Sequence, residues 1–571
     1  MLGRLTIQTT AIFSIALAYF LACDIAFAAP PVVLPGSADP ARIIKDNEKI
    51  QEPQQVAPPS SVHVQQTESP APKGSEKVTL VLKGVILEGM TVYSKGQLET
   101  IYAPYIGKTV PLSKLFDFAG EITQRYRADG YVLSRAFLPP QKLDGGVVHI
   151  QVVEGYVKNI EIEGKVRNSS ILTAIIDRLK SYRPLNIRDL ERDTLLLSDL
   201  AGNTARAVLK APDAKSDGEP GAVDIALIFS EVPMQSSVSI DNYGSRYVGP
   251  YEMGFQTGIN HLIMPYQQTT LNGIVSIPEK NMQFIQVAQR MPLNSMGTTA
   301  TVQFAYAHTQ PGYRLESSEV KSDSYNYGVS LSHPLLRSRA ENLYVGTGLT
   351  LKNIHTDILS SELYTDRLTI LNVSTNYDFS DKWAGANLAE IKLNHGLDAL
   401  GNRKTGSFDL SRPGGHSDFT DVSGNIGRMQ SITNTVRVYV AGNAQYSWDP
   451  LLSSEQFGFG GQQFGRAYDS SELIGDNGIA GVVELRYSVP ELVRTVNSEL
   501  YTFYDIGRVW NYHNYEKADS AASTGLGVRF NQGEHFSGNM AMAFPLTHQE
   551  NAPQYGGGNG VRFLGSLSAK F

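Results

Sequence analysis

From residue 232 onward the apolar positions of this chain recur at every second residue, in short runs separated by polar turns rich in Gly, Asn and Ser. Ala300, Val302, Phe304 and Tyr306 alternate with Thr301, Gln303 and Ala305, and Val436, Val438 and Val440 with Arg437, Tyr439 and Ala441. Val483, Leu485 and Tyr487 leave Glu484 and Arg486 on the opposite parity, and Leu526, Val528 and Phe530 repeat the pattern. A period of two belongs to a β-strand with one oily face and one wet face. About 16 such strands are expected across residues 232–571, with no convincing helix. The final residues are the clearest case: Val561, Phe563, Gly565, Leu567, Ala569 and Phe571 share one face, and Arg562, Leu564, Ser566, Ser568 and Lys570 the other, polar apart from Leu564. A tilted strand crossing a bilayer needs about 9 to 11 residues, so the pattern predicts a transmembrane β-barrel. Its last strand must pair with the first, near Ser237 to Tyr243, because an open edge in hydrocarbon leaves backbone groups unpaired. A large soluble β-sandwich competes, but these strands are too many and too long for one sandwich.

Upstream the period changes. A strand is expected over Val78 to Leu87, helical stretches over Ser94 to Tyr105 and Leu112 to Asp129, and strands around Ser134 to Leu138 and Val147 to Val153. In the longer helix Leu115, Phe116, Ala119, Ile122 and Tyr126 fall on one face. The same order repeats from Val157 to Ile162, through helices near Ser170 to Leu179 and Ile187 to Leu200, to strands Ala205 to Lys210 and Val223 to Phe229. Two tandem β-α-α-β-β units, residues 76–155 and 156–231, therefore precede the barrel of residues 232–571.

Residues 29–75 contain seven prolines before position 60 and no aromatic residue, a composition that cannot bury a core. Within them Asp39 can cap a helix that starts on Pro40 and runs to Gln51, carrying Arg42, Lys45, Glu48 and Lys49 on a mostly polar surface. A solvated tail with transient helix is the bland alternative. Residues 1–28 read as a secretory signal: Arg4, an apolar run from Ala11 to Ala22, then Ala26-Phe27-Ala28 as the cleavage site. The lone cysteine, Cys23, lies inside that segment, which fits export to an oxidising compartment; acylation of Cys23 competes, but Phe20-Leu21-Ala22 is a poor lipobox. Charged residues are only 18% and the net charge is −7, which gives no hint of nucleic-acid binding.

No catalytic, cofactor-binding or metal-binding set emerges: there is no phosphate-binding loop, no zinc-protease helix, no nucleophile elbow, and the 11 histidines are scattered. Two barrel segments stand out instead. Gly458 to Asp469, followed by Gly475-Asp476-Asn477-Gly478, is a glycine-rich loop with a single arginine, Arg466, between the expected eleventh and twelfth strands. Phe503-Tyr504-Asp505-Ile506-Gly507 lies on the next strand but one; parity groups Asp505 with Glu499 and Tyr501, opposite Leu500 and Tyr504. Asp505 must face the lumen, since a charge on the lipid face costs several kcal/mol.

Together these features resemble the two-partner secretion transporters (TpsB) of the haemolysin secretion/activation type. In the first unit Tyr126, Gly130-Tyr131, Pro139-Pro140-Gln141 and Glu154-Gly155 match the family's polypeptide-transport-associated (POTRA) domain. In the second, Leu190-Glu191-Arg192, Leu195-Leu196-Leu197 and Ala201-Gly202 do, with Ala201 where the family usually has Pro. The family's Val-Arg-Gly-Phe/Tyr loop motif reads Gly465-Arg466-Ala467-Tyr468 here. The resemblance implies a membrane all-β fold: a 16-stranded barrel, two periplasmic POTRA domains and an N-terminal plug helix. It implies that Arg466 and Tyr468, on a loop hinged by Gly460, Gly461 and Gly465, fold back to Asp505 as a pore lock; a purely structural salt bridge is the alternative. Helix 40–51 would plug the barrel, and its linker of roughly two dozen residues reaches on the order of 80 Å when extended. The implied function is export of an unfolded TpsA-like exoprotein across the bacterial outer membrane, with outer-membrane lipid as the other partner and no enzyme activity. A barrel-assembly-type insertase and a gated porin are the alternatives.

Overall fold

A computed structural model describes residues 34–46, 52–53, 71–143, 145–210, 219–279, 281–493, 496–548 and 560–571. The expected signal segment, most of the Pro-rich linker, and Glu48 and Lys49 lie outside the described residues.

In the first periplasmic unit Val147–Val153 is the central strand, parallel to Gly84–Glu88 and antiparallel to Arg135–Phe137. Helices Lys95–Tyr102 and Leu112–Ala128 cover the sheet. Two expectations need correction. The stretch Val78 to Leu87 is not one strand: Thr79–Val81 pairs with Thr109–Pro111, and Gly84–Glu88 joins the main sheet. The break falls where the Leu82 amide donates to Lys108 O (3.0 Å) and the Lys83 amide to Gly146 O (2.7 Å), turning the chain from one sheet to the other. On the longer helix Phe118 is fully buried, whereas Phe116 is only partly so. Phe118 lies three residues after Leu115 and four before Ile122, at the centre of the stripe; Phe116 sits at its margin.

The second unit repeats the arrangement, with Ala222–Glu231 central, parallel to Tyr156–Glu163 and antiparallel to Asn203–Lys210. Its helices, Ser170–Ser181 and Ile187–Ser198, start where side chains satisfy free amides: Ser169 accepts from Leu172 N (3.1 Å) and Asn186 from Arg188 N (3.0 Å). The units are joined backbone to backbone, Leu185 N to Gly155 O (2.8 Å) and Ile187 N to Gly130 O (2.9 Å). At the same junction Glu154 accepts from the Thr91 hydroxyl, the Thr91 amide (2.7 Å), the Val92 amide (3.0 Å) and the Tyr126 hydroxyl (2.7 Å). Burial alone would raise the Glu154 carboxyl, but these donors outweigh it and hold it below the usual range; burial, with the carboxylate beside it, drives the Tyr126 phenol up.

Among the described residues sixteen antiparallel strands then close into a barrel, each paired with its neighbour in sequence, from Met234–Asp241 to Arg562–Lys570. The first and last strands pair from Asp241↔Ser566 to Ser237↔Lys570, and Ser236 and Phe571 exchange both backbone bonds at 3.0 Å. Outward side chains such as Phe563, Leu567, Leu500, Ile506, Val483 and Leu485 are about half exposed, as a lipid-facing band requires. No described helix is long and apolar enough to cross a membrane. The second unit leads directly into the first strand and is clamped to the same rim by the pairs Arg337–Asp199 (2.7 Å) and Arg178 Nη2 to Ser295 O (3.0 Å). Since strands alternate direction, the connection after the eleventh strand, Val436–Ser447, opens at the opposite, extracellular rim.

Candidate functional site

That connection does not extend outward. Phe457–Phe459 and Leu473–Gly475 form a short hairpin that folds into the barrel. Its base is fastened by the motif after it. Buried Asp476 accepts from Leu451 N (3.0 Å), Tyr512 N (2.9 Å) and the Arg412 guanidinium, while Asn477 accepts from Ser447 N (2.8 Å). Gly460, Gly461 and Gly465 have φ of 121°, 92° and 81°, the left-handed region in which a Cβ is strained. They turn the tip so that Tyr468 N reaches Gly465 O (2.8 Å) and the Tyr468 hydroxyl donates to Ala522 O on the fourteenth strand (2.8 Å). Ala467 has no positive φ, so alanine there costs the backbone nothing.

The tip delivers Arg466 to the wall. Its Nη2 lies 2.6 Å from Asp505 Oδ1, its Nε 3.1 Å and its amide 3.0 Å from Asp505 Oδ2, and its Nη1 reaches Glu484. The guanidinium stacks on the Phe503 ring, 3.6 Å from its centroid, and Asp505 is wholly buried. Two residues further along the same face, Gly507 makes room for the loop's Phe459 ring, and Gly478 does so for Phe457; a Cβ at either would collide with the ring. The Asp-x-Gly spacing thus supplies an anion for the arginine and a flat seat for an aromatic.

Around the pair runs a balanced charge network. Glu484 also holds Arg486 (2.7 Å) and Arg529 (3.2 Å); Glu499 holds Arg529 (3.2 Å) and Arg437. Arg486 Nη1 and Nη2 reach Glu52 Oε2 and Oε1 at 2.8 and 2.9 Å, so the segment after the N-terminal helix is tied to the same carboxylate that holds Arg466. A second contact pins the hairpin to the closing strand: Arg562 meets Asp469 at 2.9 Å, both buried. Leu564, the one apolar residue on the polar face of that strand, packs with the hairpin's Phe464 in a common cluster.

The N-terminal helix, Pro40–Asp46, also lies in the lumen. Asp39 caps it through Ala41 N (2.9 Å). Arg42 Nη1 donates to Ser453 O (3.0 Å) and Gln456 O (3.2 Å), and Lys45 Nζ to Glu455 O (3.0 Å), Gln456 O (3.1 Å) and Gln445 Oε1 (3.4 Å). Contrary to the expected polar surface, its other side is apolar and buried. Ile44, together with Ala38 just ahead of the helix, packs with Tyr247, Val248, Met282 and Phe284. The barrel wall supplies the partner surface that a free tail would lack. Outside it, Leu410 and Phe419 of the extracellular stretch 397–419 pack on Leu451 and Leu452 and roof the loop base.

Sequence reasoning did not assign Glu484, Arg486 and Arg529 to this cluster, although parity already set Glu484 and Arg486 opposite the lipid-facing Val483 and Leu485. Parity likewise set Arg562 opposite the lipid-facing Phe563, whereas Glu52 and Asp469 carried no comparable signal. Among the described residues no group of three or more His, Cys, Asp or Glu is placed to hold a metal ion.

Comparison with known proteins adds an independent line. Residues 223–530 match the model of the haemolysin secretion/activation protein ShlB/FhaC/HecB family, and residues 80–155 the ShlB-type POTRA domain. The chain is 25% identical over 478 residues to the heme/hemopexin transporter protein HuxB of Haemophilus influenzae strain 86-028NP, covering 80% of this chain and 82% of the relative. It is 22% identical over 558 residues to the outer membrane transporter CdiB of Escherichia coli O6:K15:H31, covering 92% and 90%. The solved structure of CdiB from Escherichia coli superposes with a TM-score of 0.72 at 20% identity, over 88% of this chain and 92% of that one, a likeness of fold.

Proposed function

Since this chain belongs to the ShlB/FhaC/HecB family of haemolysin secretion/activation proteins, we propose that it is the outer-membrane conduit of one secreted partner, a large TpsA-like exoprotein that passes unfolded through the barrel. The observation that carries this reading is the occupied lumen: the N-terminal helix and the arginine hairpin lie within it, each tied to the wall by hydrogen bonds or ion pairs as well as by apolar contacts. Recognition falls to the periplasmic units. An extended segment of the partner can add to an edge strand of their three-stranded sheets, where backbone bonds give affinity irrespective of side chains. The helix then leaves, Arg466 exchanges its carboxylates, and the extended chain threads outward; folding outside the cell prevents its return. On this reading the second unit is a POTRA domain like the first, the chain is not an enzyme, and it needs no cofactor.

The test is secretion of the partner exoprotein from cells carrying the chain without residues 76–155. Secretion is expected to fall to background while the barrel still inserts into the outer membrane; undiminished secretion rejects the recognition step. An open diffusion pore is disfavoured by the helix and hairpin that lie in the lumen. A barrel-assembly insertase is disfavoured because such proteins carry more tandem periplasmic units than the two found here.

A further inference from the structure

The turn joining the second and third barrel strands, residues 261–267, has two halves of opposite character. Its base is locked into the second periplasmic unit. Tyr266 is 2% exposed and belongs to that unit's core; its hydroxyl donates to Arg167 O (2.7 Å) and accepts from Arg167 N (3.0 Å), and its amide donates to His261 Nδ1 (2.9 Å). Arg167 in turn pairs with Glu231 (2.9 Å). The tip is Leu262, Ile263 and Met264, exposed by 60%, 72% and 47%, followed by exposed Pro265. A rigid base thus presents four consecutive apolar residues away from the protein.

Their height identifies what they meet. The flanking strands, Tyr251–Asn260 and Gln268–Ile277, have 10 residues each. At about 3.3 Å per residue and a tilt of about 40° they rise about 25 Å, the height of a barrel's lipid-facing band. Met253 and Phe255 mark that band on the outer face. The tip lies at the periplasmic end of these strands, next to exposed Met234 of the first strand, which pairs with Ile259.

We propose that Leu262–Pro265 inserts into the periplasmic leaflet of the outer membrane as an interfacial anchor and, through Tyr266, seats the second periplasmic unit against the lipid. The tip carries no charge, so the partner it fits is the acyl and glycerol zone of a phospholipid, whatever the headgroup.

The experiment uses the full chain in a Cys23→Ser background, with Leu262→Cys, Ile263→Cys and Met264→Cys made singly and labelled with an environment-sensitive fluorophore. Each is reconstituted in phosphatidylethanolamine–phosphatidylglycerol vesicles with and without brominated acyl chains. Leu500→Cys, on the lipid face, and Glu99→Cys, on an exposed periplasmic helix, set the two limits. At least two of the three tip positions are expected to be quenched by at least half as much as position 500. Quenching no greater than at position 99 overturns the proposal. So does a blue-shifted emission that bromine does not quench, which means that protein, a partner segment included, covers the tip.

Discussion

Arg466 ties the hairpin to the barrel wall. It is 6% exposed and faces two carboxylates that burial leaves without water, so each charge depends on the others. Arg466→Ala strands Asp505, while Glu484 keeps Arg486 and Arg529, and the barrel is expected to lose about 3 to 5 kcal/mol, read as a lower midpoint of thermal unfolding in detergent. Arg466→Lys keeps the charge but not the fork that spans both carboxylates, so its midpoint should fall between wild type and alanine. A different carboxylate governs the first periplasmic unit. Glu154 is held below the usual glutamate range by four donors. A depressed carboxyl contributes stability that is full above the unfolded value of about 4.3 and is lost as pH falls through the lower folded value. Hydrogen-exchange protection of helix Leu112–Ala128 should therefore weaken as pH drops below about 4.3, and Glu154→Gln should flatten that dependence.

At the scale of elements, the hairpin and the N-terminal helix are held by one another as much as by the wall. Arg42 and Lys45 bind the carbonyls of residues 453–456, just ahead of the hairpin, and Glu52 reaches Arg466 through Arg486 and Glu484. Deleting residues 36–46 should raise single-channel conductance in planar bilayers, and Glu52→Gln should raise the frequency of brief openings without the full increase; an unchanged conductance after the deletion refutes the plug. Gly507→Val pushes the Phe459 ring from its seat and should cost about 1 to 3 kcal/mol of overpacking, visible as new protease cleavage within residues 457–475. The alternation of apolar residues made these strands legible, and the Gly-rich composition marked the loop. The apolar side of helix Pro40–Asp46 was not legible, because Ile44, with Ala38 ahead of the helix, is too little to form a stripe until a barrel surrounds it. Phe118, by contrast, was legible though Phe116 was named in its place: three residues after Leu115 and four before Ile122, it falls on the helical stripe that packing buries.

At the scale of the whole molecule, periodicity by itself determined the class of fold, a count of about 16 strands and the lipid-facing side of those strands whose alternation is clearest. The reason is physical: in a bilayer an unpaired backbone group or an outward charge is so costly that every strand must write its two faces into its sequence. The same rule required the closure of Arg562–Lys570 on Met234–Asp241. No periodic rule fixes which lumen charges meet. Glu52 lies 434 residues from Arg486, and Asp469 and Arg562 come together only because the eleventh-to-twelfth connection folds inward while the last strand closes the ring. Even Leu564, an exception within a polar face, had no explanation until the hairpin's Phe464 packed into its cluster. Sequence determined the wall because each strand answers to the same solvent; tertiary structure decided the lumen's charge network because its parts answer only to one another.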